Sequence, residues 1–170
     1  MRLILLRHDK AKHPADFGDH DRPLCKQGRR ACIEMGRYIG DGGLVPDMAI
    51  VSTARRAQET WHLVRSASDV DVVWRSDHRV YEASPETLLA VICETAAEIR
   101  SLLVVGHNSG LQDLAINLIG TAEPSALSGL DYKLPTAGLV AIEFKCQNWR
   151  DVSLGSGEVE HFATPKSLVR

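Results

Sequence analysis

Leu3, Ile4, Leu5 and Leu6 form an unbroken apolar run that stops abruptly at Arg7 and His8. With no turn residue inside it, a run this short reads as a strand buried on both faces, as in a parallel sheet. Open α/β sheets bind ligands just beyond the carboxyl ends of their strands. The first element of the chain therefore delivers a guanidinium and an imidazole to the edge where such folds keep their chemistry. Taken alone, an Arg-His pair after a strand is more often a solvated strand end than a site. Its weight depends on whether other strands end the same way.

Two others do. Met48–Val51 is a short apolar strand running into Ser52 and Thr53, either of which can cap a helix that starts near Ala54 and carries Arg55 and Arg56 in its first turn. Leu102–Val105 is another such strand and stops at Gly106, His107 and Asn108, with a helix expected from Ser109 to Ile119. Cys25–Ile39 places Ala31, Cys32, Met35 and Ile39 at amphipathic helical spacing. Gly28 in that helix points to close packing, since glycine costs about 1 kcal/mol there relative to Ala. Asp71–Trp74 is a weaker strand. Ser84 as cap and Pro85 at the first helical position start a helix that Leu88, Leu89, Ile92, Ala96 and Ile99 continue to Arg100. Leu139–Phe144 reads as a strand, and a further edge strand falls near Val159–Phe162. Lys10–Pro23 is a polar connection without periodicity, long enough to suggest function, and Ala126–Pro135 reads as loop. The order β-α-β-α-β-α-β-α-β predicts an α/β fold, a three-layer α/β/α sandwich on a mainly parallel central sheet. No repeat, low-complexity tract or linker interrupts it, so a single domain over residues 1–170 is expected.

Composition narrows the function classes. With 44% hydrophobic and 25% charged residues, the chain can bury an ordinary core. A formal net charge of −2 offers no basic field for nucleic acid or an anionic membrane surface. No apolar run approaches the roughly 20 residues of a membrane span, and no signal peptide is read at the N-terminus. Cys25, Cys32, Cys93 and Cys146 are widely spaced and form no C-x-x-C, so they are expected as reduced thiols of a cytoplasmic protein. The histidines fall into no metal-binding spacing, so neither a metal nor another cofactor is expected. Trp61, Trp74 and Trp149 read as packing residues rather than a stacking platform for bases.

The strand ends supply Arg7 and His8, then Ser52 with Arg55 and Arg56, then His107. Guanidinium groups, two imidazoles and helix N-terminal amides make a compact site for a dianion. The planar Arg fork binds phosphate oxygens bidentately, and helix N-termini add partial positive charge. Neither G-x-x-x-x-G-K-[ST] nor G-x-G-x-x-G occurs, so no nucleotide cradle of either kind is present.

The motifs L-L-R-H at Leu5–His8, S-T-A-R-R-A-Q-E-T at Ser52–Thr60 and V-V-G-H-N at Val104–Asn108 resemble, in order, those of the histidine phosphatase superfamily with its phosphoglycerate-mutase-like fold. D-H-D-R-P-L-C-K-Q-G at Asp19–Gly28, V-Y-E-A at Val80–Ala83 and L-P-T-A-G at Leu134–Gly138 are similar to its small SixA-type phosphohistidine phosphatase branch. The matches span Met1–Gly138. The resemblance implies a metal-independent phosphatase with His8 as the nucleophile that takes the phosphoryl group. Arg7 and Arg56 would hold the phosphoryl oxygens, and His107 would donate to them. Arg56 rather than Arg55 matches, because it directly precedes Ala57 and stands four residues before Thr60. Arg55 is then expected in solvent or as a structural partner. Arg22 matches the branch's loop arginine and is expected at the entrance.

The acid that would protonate a leaving alkoxide is the least defined role. Glu82 is the first candidate and Asp19 the second, against a plain exposed residue before a helix cap. A phosphohistidine substrate needs such an acid less, because its imidazole can leave neutral. Asp9 stands where the family carries glycine and adds negative charge beside the pocket. Asn108 and Thr136 lie in matching motifs, where capping or turn roles explain them equally well. The implied substrate is phosphohistidine on a protein, which suits a short chain with no long insert to roof the pocket. The alternatives are a small phosphate ester with Glu82 as acid, or a phosphate-binding module without turnover. The enclosing segments a mutase would need look missing.

Overall fold

The computed structural model describes residues 1–123 and 133–168. Its middle layer is a seven-stranded sheet of β1 (Arg2–Arg7), β2 (Met48–Ser52), β3 (Val73–Asp77), β4 (Ser101–Gly106), β5 (Ile119–Thr121), β6 (Leu139–Glu143) and β7 (Gly157–Ala163), in spatial order β3-β2-β4-β1-β6-β7-β5. β3, β2, β4 and β1 pair in parallel. β6 runs antiparallel to both β1 and β7, and β5 runs parallel to β7. Helices α1 (Lys26–Asp41) and α2 (Arg55–Ala67) cover one face, and α3 (Pro85–Cys93) and α4 (Gly110–Leu118) the other. The short α5 (Pro165–Leu168) rests against α1. This is the expected three-layer α/β/α arrangement on a mainly parallel sheet, the phosphoglycerate-mutase-like fold.

The alternation of β1 explains why its apolar run is continuous. Leu3 and Leu5 enter the core under α3 and α4 with Val104 and Val140. Ile4 and Leu6 enter the core under α1 and α2 with Leu103 and Val105. All four are fully buried, a contribution of about 1.5–3 kcal/mol each. Register then sets the site: Leu6 pairs with Val105 and Arg7 with Gly106, so the two strands end side by side. The His8 amide donates to the Gly106 carbonyl at 3.0 Å, carrying the alignment one residue past the sheet.

The elements differ from the sequence reading where tertiary contacts outweigh local pattern. The cap of α2 is Ala54, without a side-chain bond, rather than Ser52 or Thr53. Ser52 Oγ does accept from the Ala54 amide at 3.3 Å, but its hydroxyl is shared with His107, and Thr53 Oγ1 meets His20 Nε2 at 3.0 Å. α3 starts as expected, with Ser84 Oγ accepting from the Thr87 amide and Pro85 in the first turn, but it ends at Cys93 rather than Arg100. The following segment is drawn into the sheet. The Trp149 indole donates to Ile99 O at 2.6 Å, and Asp47 Oδ2 accepts from the Arg100 and Ser101 amides at 2.8 Å each. α4 stops at Leu118, because Ile119 turns into β5, a three-residue strand hidden by the helical pattern. β3 begins and ends later than Asp71–Trp74, its end fixed by the buried Asp77 paired with Arg75 and Arg79. β7 is longer than Val159–Phe162 and lies inside the sheet, between β6 and β5, rather than at its edge.

Other readings hold. A Cβ at Gly28 would stand 2.5 Å from Lys10 O, so the chain leaving β1 presses directly on α1. The Lys10–Pro23 connection holds two short 3-10 turns, Pro14–Asp16 and Asp19–Asp21, and an Ala11–Leu24 bridge. Trp61 and Trp149 are core residues. Of the expected loop Ala126–Pro135, residues 126–132 lie outside the described residues. No helix among the described residues is long and apolar enough to cross a membrane.

Candidate active site

At the carboxyl ends of β1, β2 and β4 a cleft of about 460 Å³ is lined by Arg7, His8, Asp19, Arg22, Arg56, Glu82, His107, Asn108 and Thr136, among others. The residues singled out from the sequence therefore meet, although they lie on separate segments of the chain. His8, Arg56 and His107 form its buried floor, at 9%, 3% and 5% exposure. The two imidazole rings lie 4.9 Å apart, centroid to centroid.

Hydrogen bonding fixes the protonation of both rings. Arginine has no acceptor, so its contacts reveal which imidazole nitrogen carries the lone pair. Arg56 Nε donates to His8 Nε2 at 3.3 Å, and His8 Nδ1 donates to the Asp9 carbonyl at 2.7 Å. His8 is thus neutral, with its proton on Nδ1 and the free pair of Nε2 turned toward Arg56. Burial, with the charges of Arg56, Arg7 and Arg22, pulls the His8 pKa down to about 4, against the opposing pull of the Asp9 carbonyl. Arg56 Nη2 meets His107 Nδ1 at 3.3 Å, and His107 Nε2 meets Ser52 Oγ at 2.7 Å. His107 is therefore the opposite tautomer, with Nδ1 accepting. Burial, then proximity to His8 and Arg56, holds it at about 3.

Arg56 is the hub. Besides both imidazoles it reaches the 3-10 turn of the first loop, donating from Nη1 to Asp19 O at 2.6 Å and from Nη2 to Asp19 Oδ2 at 3.0 Å. Its neighbour Arg55 faces solvent and pairs with Glu59 one helical turn on, at 2.9 Å. Arg7 donates from Nη1 to Leu134 O at 2.9 Å and is half-buried. Arg22 lines the cleft and holds Asp19 Oδ1 from Nη2 at 2.9 Å. Asp19 also accepts from the Tyr81 hydroxyl at 2.7 Å. That bond, with the charges of Arg56 and Arg22, keeps its carboxyl below the usual carboxylate range. Glu82 stands exposed on the rim with φ +47°, a left-handed conformation uncommon outside glycine.

Asp9 departs from the sequence reading. It lies behind the floor rather than beside the cleft, 3% exposed and off the cleft lining. The packing of β1 against α1 and α2 decides this: Asp9 Oδ2 lies 4.0 Å from Cys32 Sγ of α1, and the Asp9 amide donates to Thr60 Oγ1 of α2 at 3.2 Å. One contributor escaped the sequence altogether: Tyr81 stacks edge-on against His107 at 5.4 Å and holds Asp19. It sits inside the matched motif V-Y-E-A, which is the signal that could have found it. Ser52, expected at its strand end, meets His107 through its hydroxyl. Among the described residues no group of three or more His, Cys, Asp or Glu side chains is placed to hold a metal ion.

No family model matches the chain. An uncharacterised protein of Mycobacterium tuberculosis is 30% identical over 163 residues, covering 95% of this chain and 100% of that protein. Among solved structures, the one assigned as phosphohistidine phosphatase SixA of Agrobacterium tumefaciens superposes with a TM-score of 0.81 at 26% identity, covering 96% of this chain and 97% of the other. A structure with the same assignment from Nakamurella multipartitia gives 0.82 at 25% identity, covering 96% and 95%. With the ordered motifs and the converged cleft, these likenesses place the chain in the histidine phosphatase superfamily, with SixA-type phosphohistidine phosphatases as its structural neighbours.

Proposed function

We propose that the chain is a phosphatase that works through a phosphohistidine intermediate on His8, with phosphohistidine carried by a protein as its substrate. The observation that carries this reading is the pinned imidazole: Nδ1–H tied to a main-chain carbonyl and the Nε2 lone pair facing a guanidinium. A neutral imidazole with a fixed lone pair is a nucleophile at neutral pH. Phosphoryl transfer asks mainly for positioning and for charge compensation at the equatorial oxygens. Arg7, Arg56 and His107 are the groups in reach to supply it, with Arg22 at the entrance and Asn108 and Thr136 on the wall.

The chemistry balances without an added acid. His8 Nε2 forms a bond to phosphorus as the substrate's N–P bond breaks, and that electron pair leaves on the substrate imidazole. If the other nitrogen of the leaving ring is protonated, it departs neutral. The His8 ring, holding Nδ1–H and the new Nε2–P bond, is then formally cationic. Water attacks phosphorus, the N–P pair returns to Nε2, and dihydrogen phosphate leaves with both protons of the water.

Asp19 supports this substrate class. Tyr81, Arg56 and Arg22 keep it ionised, so it has no proton to give an alkoxide. The same observation argues against Asp19 as acid and leaves Glu82 on the rim as the remaining candidate for a phosphate ester, which is the second reading. The neighbours assigned as phosphohistidine phosphatases agree with the first.

The test compares a histidine-rich peptide phosphorylated with phosphoramidate against a panel of small phosphomonoesters. Release from the peptide is expected to be faster. Faster turnover of the esters would assign the site to a small metabolite, with Glu82→Gln then the critical variant. His8→Ala is expected to abolish release while leaving the thermal midpoint near wild type, and undiminished hydrolysis in that variant would remove His8 as the nucleophile.

A further inference from the structure

We propose that the Asp9 carboxylate is a positioning group for His8, acting through the Asp9–Lys10 peptide to fix and polarise the imidazole. The proposal rests on the reading of His8 as the attacking group. Both ends of that one peptide are held: its carbonyl accepts from His8 Nδ1 at 2.7 Å, and its N–H donates to Asp9 Oδ1 at 2.5 Å. In a trans peptide these two groups point in opposite directions. An unbroken chain therefore runs from the imidazole N–H through the peptide to the carboxylate. Hydrogen bonds in such a chain polarise one another, by about 10–30% per bond.

The carboxylate is placed for this and for little else. It is 3% exposed and outside the cleft lining, so it touches no substrate. Burial pushes its pKa up, and the Lys10 amide, the Lys10 charge, a hydrogen bond from Thr136 and the Arg7 charge oppose that push in favour of the carboxylate. The Cys32 thiol beside it, pushed up to about 12 by burial and by Asp9 itself, stays protonated and does not compete as an anion. On the cleft side of His8 the charges that disfavour its protonated form are those of Arg56, Arg7 and Arg22, and the nearest carboxylate there, Asp19, is already engaged by Arg56 and Arg22. Attack on phosphorus makes the ring cationic in exactly those surroundings. The negative group on the Nδ1 side is what opposes that cost, and the peptide between them keeps the proton on Nδ1, so that Nε2 alone can attack.

The experiment uses the full chain, with Asp9→Asn and Asp9→Gly. The first keeps an acceptor for the Lys10 N–H and removes the charge, and the second removes both. Three readouts are taken: the ring 15N and Nδ1 proton shifts of His8, the rate of phosphoryl uptake from phosphoramidate, and the thermal midpoint. In the wild type the Nδ1 proton is expected well downfield of a free imidazole N–H. Asp9→Asn should keep the tautomer, move that proton upfield and slow uptake roughly tenfold, the scale seen when a residue orienting a reactive group is lost. Asp9→Gly, whose main-chain carbonyl still accepts from Nδ1, should also keep the tautomer but move that proton further upfield and slow uptake further. Wild-type shifts and uptake rates in two folded variants would overturn the proposal. So would an ordinary Nδ1 proton shift in the wild type, which stands whether or not a variant folds. If the shifts behave as expected but the wild type takes up no phosphoryl group, the relay stands and the phosphatase reading fails.

Discussion

The two histidines of the cleft floor look alike but are tied down differently. His8 gives its proton to a main-chain carbonyl, and His107 shares its own with the Ser52 hydroxyl. A carbonyl can only accept, so His8 has one tautomer whatever occupies the cleft. A hydroxyl can donate or accept, so His107 is free to exchange roles: it accepts from Arg56 now, and it can hold a proton on Nδ1 when a dianion arrives. The lesson is that backbone partners make a constant and side-chain partners make a variable. An attacking nitrogen needs the first, and a group that answers developing charge needs the second.

The strongest way to break this contrast is through Arg56, which touches both rings. Arg56→Ala is expected to lower kcat/KM by about 10²–10³-fold, the loss typical of one charge-stabilising donor, with the larger part in kcat. A smaller effect confined to KM would show that Arg56 only gathers substrate. Acid titration comes next. Both imidazoles are held below the unfolded value of about 6.5, His8 at about 4 and His107 at about 3. Between pH 6.5 and 4 the unfolded chain binds protons that the folded chain refuses. Stability is therefore fully present above pH 6.5 and falls as pH drops through that window, by about 1.4 kcal/mol per pH unit for each imidazole. Denaturant midpoints of wild type against His8→Gln and His107→Gln check this, and equal slopes in all three would refute it.

The contrast is sharpened by Ser52→Ala with inorganic phosphate as the probe. In the wild type, phosphate is expected to shift the His107 ring nitrogens toward the protonated form while those of His8 stay put. Ser52→Ala should loosen the His107 tautomer and cost roughly tenfold in turnover without moving His8. The smallest effect belongs to Arg55, whose exposed pair with Glu59 is worth about 0.5 kcal/mol or less. Arg55→Ala should leave turnover within a factor of two, which separates the adjacent arginines by assay.

What could be read from the sequence was local or carried by motif. The buried strands, the Ser84–Pro85 helix start and the pairing of Arg7-His8 with His107 follow from runs of a few residues, because register brings the ends of neighbouring strands together. The rest depends on what a distant segment supplies. That α3 stops at Cys93 is decided by Trp149 and Asp47, that Asp19 belongs to Arg56 is decided by a loop folding back, and that Asp9 turns inward is decided by α1 and α2. No period or spacing within those stretches carries that information.

The contact at Gly110 governs what can enter. A Cβ there would lie 1.9 Å from Ala83 O, so the strip bearing Tyr81 and Glu82 is wedged against the helix that follows His107. That side of the mouth inherits the stiffness of the central layer and cannot yield to a wide guest. Any widening must come from the turn at Asp19–Asp21, tied to this strip by the Tyr81 hydroxyl and to α2 by Arg56, polar links to Asp19 that an incoming anion would contest.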